Sequence, residues 1–181
     1  AKYRYGFTGT LDGTQTHKLT LEGLFGAVYQ VTKTKKLIAD ETLAEFTIKS
    51  LVLKHTDEDK KLVSKLDYQS EIDFIVRNDA RNKFIRNLSW SLAGNTLVLF
   101  QFVEKHGKIL DVLLRDQNED KNIFFIHGGV KTDDRENVRE LVENSNNNII
   151  LASYGTFSTG INIKRLDNLI FASPSKSKIR N

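Results

Sequence analysis

Four short apolar runs constrain the fold of this chain more than any other feature: residues 97–100 (LVLF), 123–126 (IFFI), 149–152 (IILA) and 169–172 (LIFA). None alternates with polar residues, which predicts strands buried on both faces. Between the first two runs lies a helical pattern carrying Ile109, Leu110, Leu113 and Leu114, and between the second and third another carrying Val138, Leu141 and Val142. Thr132 or Asp133 is placed to cap the second helix, and Asp133 and Asp134 suit its positive N-terminal end. Strand, helix, strand, helix, strand implies right-handed crossovers and a parallel sheet, covered by helices on both faces. The expected class is α/β.

The first half is less regular. Residues 3–7 read as a short strand, followed by a turn-rich stretch through Thr8, Gly9, Thr10 and Gly13. Residues 16–25 suit a short helix with Leu21, Leu24 and Phe25 on one side. Residues 27–31 and 45–54 alternate apolar and polar side chains and are predicted as strands, and residues 35–43 as a helical turn. Residues 57–92 carry apolar side chains at helical spacing throughout, with Trp90 as a packing residue near the end.

Several classes of chemistry are excluded. The chain has no cysteine, so disulfides, thiolate catalysis and cysteine-based zinc sites are absent, as suits a reducing cytoplasm. No apolar run approaches the roughly 20 residues of a membrane span. The four histidines (His17, His55, His106, His127) lack metal-ligand spacing. No G-x-x-x-x-G-K-[ST] loop exists to cradle a triphosphate, and no G-x-S-x-G elbow to present a serine nucleophile. The run Leu37-Ile38-Ala39-Asp40-Glu41 imitates a strand ending in a magnesium-binding acidic pair, but no phosphate loop precedes it, so it reads as a surface turn. Net charge is +4 and uneven: Lys33, Lys35 and Lys36 cluster, as do Arg77, Arg81, Lys83 and Arg86, and Lys176, Lys178 and Arg180. Such clusters suit nucleic acid or plain solvated surface. The chain has no methionine, which suggests an excised or engineered piece.

In a parallel sheet, ligands bind beyond the carboxyl ends of the strands. The loops to inspect are therefore 101–103, 127–130, 153–163 and 173–175. His127-Gly128-Gly129 follows a strand and opens a helix, a place where backbone N–H groups approach a phosphate or simply turn the chain. Residues 153–163 (SYGTFSTGINI) offer hydroxyls, glycines and open backbone, a composition suited to phosphate or ribose contacts and equally to an ordinary loop.

Order adds what the single loops lack. Thr8-Gly9-Thr10, then residues 97–102, then 126–129, then 152–163, then 169–171 resemble in succession motifs III, IV, IVa and V of superfamily-two DNA helicases. The resemblance is strongest to the phage UvsW-type recombination and repair helicases and covers almost the whole chain. It implies a RecA-like parallel sheet with helices on both faces. Residues 1–26 would end the first RecA-like lobe and form a connector, and residues 27–181 would form the second lobe, cut before motif VI. Thr8, Gly9 and Thr10 would couple ATP state to DNA grip. Gln101, Phe102, His127, Gly128, Ser153, Thr156, Ser158 and Thr159 would face DNA. Gly160, Ile161 and Asn162 would lie on the nucleotide side, where Asn162 departs from the aspartate common in the family; its neutral amide still bonds a ribose hydroxyl.

The resemblance further implies DNA, single-stranded or branched and held mainly through phosphates, as a partner. The first RecA-like lobe is another, and there is no membrane. ATP and magnesium would serve the two-lobed parent in the host cytoplasm. This chain alone would need no cofactor, have no catalytic residue and bind no metal, because the phosphate loop, the acidic magnesium motif and motif VI are missing. Residues 1–26 offer an orphan segment for self-association. The alternative is a stand-alone RecA-like scaffold without catalytic activity. A doubly wound small-molecule enzyme would need a G-x-G-x-x-G loop, which is absent.

Overall fold

A computed structural model describes residues 3–8, 14–116, 121–157 and 163–174. The chain divides into two compact units, Ala1–Val52 and Leu53–Asn181. In the first, helix α1 (Gln15–Phe25) starts where the Thr14 side chain accepts from the His17 N–H, and it stops at Gly26, whose φ of 89° only glycine adopts readily. Helix α2 (Thr34–Ala39) covers most of the run that imitated a magnesium motif, and Glu41 follows with φ 55°, so that run is helix and turn.

Two expectations fail in this unit. Residues 3–7 and 27–31 form no strand, and neither do residues 45–54, which run across the division. Alternation specifies the two faces of a strand but supplies no neighbour to bond its backbone. Val31 and Ile48 accordingly stand exposed.

The second unit holds the core. The region read as continuously helical is three helices: α3 (Asp57–Val63), α4 (Tyr68–Arg77) and α5 (Asp79–Ser91). The breaks fall where polar side chains cap new N-termini. Thr56 accepts from Asp59 N–H, Asp67 from Ser70 N–H and Asn78 from Arg81 N–H. Strands β1 (Thr96–Phe100), β2 (Asn122–Ile126), β3 (Asn148–Ser153) and β4 (Asn168–Phe171) form one parallel sheet in the order β2-β3-β1-β4. Register pairs Thr96 with Ile149 and Asn168, and Ile126 with Ala152.

The central strands β1 and β3 are buried along their length, as expected. The outer strands are not: β2 is largely half-buried, and Leu169 and Phe171 of β4 are exposed. The apolar runs look alike in sequence, but only two sit between neighbours.

After β1 one π-helical turn (Val103–Gly107) leads into α6 (Lys108–Arg115), and after β2 comes α7 (Thr132–Asn144). The chain moves outward from β1 to β2 and inward from β2 to β3, so right-handed crossovers place α6 and α7 on opposite faces. The packing agrees. Ile85, Leu110 and Leu114 cover Val98, Phe100, Ile149 and Leu151, with Trp90 packed beside them. Val142 covers the other face with Leu97, Leu99, Ile150 and Ala152. Helix α7 is preceded by Lys131 with no side-chain cap, so neither Thr132 nor Asp133 caps it, although Asp133 and Asp134 do occupy the first turn. Leu141 is exposed because the helix turns its Val138 and Val142 side inward. Gly107 is required sterically: a Cβ there would meet the Phe100 ring at 2.6 Å.

The amino ends of the strands are tied by Asn95. Its amide donates to the carbonyls of Val142, Ser145 and Arg165, and its Oδ1 accepts from both nitrogens of Asn148. This edge is committed to holding the fold. The carboxyl edge carries the loops.

Candidate functional site

Adjacent strands β1 and β3 send their chains to opposite faces, which opens a crevice between their carboxyl ends. The last register pair there is Phe100 with Ser153. Gln101 and Phe102 leave one side, and the one-turn helix α8 (Tyr154–Phe157) leaves the other. The structure therefore brings Gln101, Phe102, Ser153 and Thr156 to one edge, and β2, beside β3, delivers His127 and Gly128 to the same edge. Thr8 is exposed and belongs to the other unit. Gly9, Thr10, Ser158, Thr159, Gly160, Ile161 and Asn162 lie outside the described residues.

Each loop has a definite chemistry. Gln101 is exposed, and its backbone N–H donates to Ser173 Oγ at 2.9 Å. Phe102 is half-buried under Lys105, whose Nζ lies 5.0 Å from the ring centroid; Lys105 also pairs with Asp73 at 2.6 Å. Bonding to Lys105 holds the Asp73 carboxyl below the usual carboxylate range. His127 packs against Phe125 at 5.1 Å and accepts the Gly129 N–H at Nδ1, 3.2 Å. That bond spends one of the two glycine amides that the sequence offered to a phosphate. Gly128 is exposed with open space around it. Ser153 and Thr156 bond each other through their hydroxyls at 2.7 Å, which leaves one hydroxyl proton for a further acceptor.

Behind these loops stands a buried polar group that the histidine spacing did not disclose. His106, fully buried, touches Ser173 Oγ with Nδ1 at 2.8 Å and Asn82 Oδ1 with Nε2 at 3.2 Å. Tyr154, also buried, donates its hydroxyl to the Ser173 carbonyl at 3.0 Å. Arg81 Nη2 donates to the Ala172 carbonyl at 2.7 Å, while Nη1 is buried with no partner among the described residues. Burial pushes the Arg81 guanidinium down from its ordinary value. Burial, with Arg81 nearby, lowers His106 to about 4.

A serine, a histidine and an amide in hydrogen-bond reach imitate a nucleophile with its base and orienter. Access decides against that reading. Ser173 is 4% exposed and His106 0%, and the serine oxygen is already bonded by Gln101 N–H. The group holds loops; it does not attack a substrate. The loop at Ser173 was legible in the sequence, but His106 and Asn82 sit within helical stretches where only the tertiary packing reveals them.

The basic cluster of residues 77–86 does not act as one patch. Lys83 pairs with Asp79 at 2.7 Å, Arg86 bonds Asn87 at 3.0 Å, and Arg81 turns inward. Among the described residues no group of three metal-ligating side chains converges, and no helix is long and apolar enough to cross a membrane.

Residues 79–180 match the model of the helicase conserved C-terminal domain. The ATP-dependent DNA helicase uvsW of Enterobacteria phage T4 is 35% identical over 180 residues, which cover 98% of this chain and 35% of that protein. The crystal structure of T4 UvsW aligns with a TM-score of 0.60 at 36% identity, over 68% of this chain and 25% of that one. The chain thus spans about a third of the length of the curated relative it matches. The four-stranded parallel sheet with its two helical layers is the RecA-like fold seen in that relative, and the chain belongs to the helicase C-terminal domain family.

Proposed function

We propose that this chain is the part of an ATP-dependent DNA helicase that grips DNA at the carboxyl edge of its sheet and forms one wall of the ATP cleft. The observation that carries the reading is the convergence of Gln101, Phe102, His127, Gly128, Ser153 and Thr156 at and beside the β1/β3 crevice. Backbone amides, hydroxyls and one aromatic ring suit sugar and phosphate contacts without base reading, so recognition follows DNA structure more than sequence. The helicase resemblance assigns DNA contacts to Ser158 and Thr159 as well, and nucleotide contacts to Gly160, Ile161 and Asn162. Magnesium and the phosphate loop belong to the first RecA-like lobe, to which Thr8, Gly9 and Thr10 connect. In the two-lobed protein, ATP closes the lobes and hydrolysis releases them, moving a strand of branched DNA during recombination and repair. The chain alone hydrolyses no ATP.

Fluorescence anisotropy with labelled single-stranded and forked DNA tests this. At low salt the chain binds with a Kd on the order of micromolar. His127→Ala and Gln101→Ala each weaken binding by roughly threefold to tenfold. Glu140→Gln, on α7 away from the crevice, leaves it unchanged. Absence of binding at low salt, or equal loss in all three variants, contradicts the reading and favours a scaffold without DNA affinity.

A further inference from the structure

We propose that Ser173 is a buried positioning residue that couples the loops after β1, β3 and β4, and that the neutral Nε2–H form of His106 completes the coupling. The functional weight of this inference rests on the reading that those loops hold DNA.

The direction of each bond is set from the Asn82 end. The Asn82 nitrogen donates to the Val76 carbonyl at 2.9 Å, so its Oδ1, which can only accept, faces His106 Nε2 at 3.2 Å. Nε2 therefore carries a proton, and a neutral ring is bare at Nδ1. There it accepts the Ser173 hydroxyl at 2.8 Å, while Ser173 Oγ accepts the Gln101 N–H at 2.9 Å. At its other end Ser173 accepts the Tyr154 hydroxyl on its carbonyl at 3.0 Å. One residue thus bonds the first residue after β1, the first residue after β3 and the helical layer behind them. A shift of the chain leaving β4 moves the Gln101 and Tyr154 anchors together.

Among the described residues, no group facing the ring favours a charged imidazole. Arg81 of α5 repels it, Tyr154 of α8 is occupied with Ser173, and Lys105 on the same turn is paired with Asp73 of α4. A proton on Nδ1 would reverse the bond, so that the ring donates to Ser173 Oγ and the hydroxyl proton loses His106 as its acceptor.

Long-range proton–nitrogen NMR of the histidine rings reads the tautomer in the unaltered chain and needs no variant. His106 should show a bare Nδ1 and a protonated Nε2, unchanged from about pH 8 to about pH 5. In Ser173→Ala, amide hydrogen exchange at Gln101 should rise roughly tenfold, with DNA affinity reduced but its salt dependence unchanged, because no phosphate contact is lost. Exchange at the amino-edge strand residue Leu97 should stay as it was, which separates loss of coupling from loss of fold. A proton on Nδ1 anywhere between about pH 8 and about pH 5, or unchanged Gln101 exchange in Ser173→Ala, overturns the proposal. If the unaltered chain binds no DNA while the tautomer and exchange results hold, the DNA reading fails and the coupling stands.

Discussion

At the residue scale, His106 makes the pH behaviour of the fold predictable. Its pKa falls from 6.5 to about 4 through burial and the Arg81 charge, so between those values the folded chain binds fewer protons than the unfolded chain. Stability is complete above about pH 6.5 and declines as pH drops toward 4, by roughly 3 kcal/mol at most. Asp67 and Asp73 have depressed pKa values, the first through Ser70 and the second through Lys105, so their contributions disappear only below the ordinary 3.8. The two windows barely overlap. Urea unfolding at about pH 7.5 and about pH 5 should therefore show an acid loss that His106→Gln abolishes. An equal loss in that variant would place the effect elsewhere. The sequence disclosed His106 only as a histidine without metal spacing, because its partners Ser173 and Asn82 are far apart in the chain and meet only in the folded sheet.

At the scale of elements, burial separates what matters from what decorates. Asn95 is fully buried and bonds five groups across the amino ends of the sheet, so Asn95→Ala leaves several buried polar atoms unpaired. The expected cost is about 3 kcal/mol, read as a lower urea midpoint at unchanged slope. Arg139, which pairs along α7 with Glu136 and Glu143, lies on the surface, and its replacement by alanine should cost less than about 0.5 kcal/mol. Equal costs would contradict this ordering. The strands β1 to β4 and the helices between them were legible from local pattern, although only the central β1 and β3 are buried as that pattern predicts. The alternating stretches at 27–31 and 45–54 misled because alternation cannot report a missing strand neighbour. The caps at Thr56, Asp67 and Asn78 divided one helical pattern into three because side-chain bonds to open N–H groups outweigh continued apolar spacing.

At the scale of the whole molecule, the parallel order β2-β3-β1-β4 fixes where a ligand can sit, since it alone puts a switch point between β1 and β3. That the loops at 101–103 and 127–130, and the start of the loop at 153–163, leave the carboxyl ends of strands was readable from the sequence alone. Their mutual position was not, because strand order is decided by long-range pairing. If DNA meets the carboxyl edge as proposed, titration of the isotope-labelled chain with a short single-stranded oligonucleotide, followed by amide NMR, will locate it there. Shifts should concentrate at Gln101, Phe102, His127, Gly128, Ser153 and Thr156, with Asn95, Thr96 and Asn148 at the opposite edge unmoved. Shifts centred on the amino edge, or spread evenly over the exposed lysines and arginines, would contradict that placement.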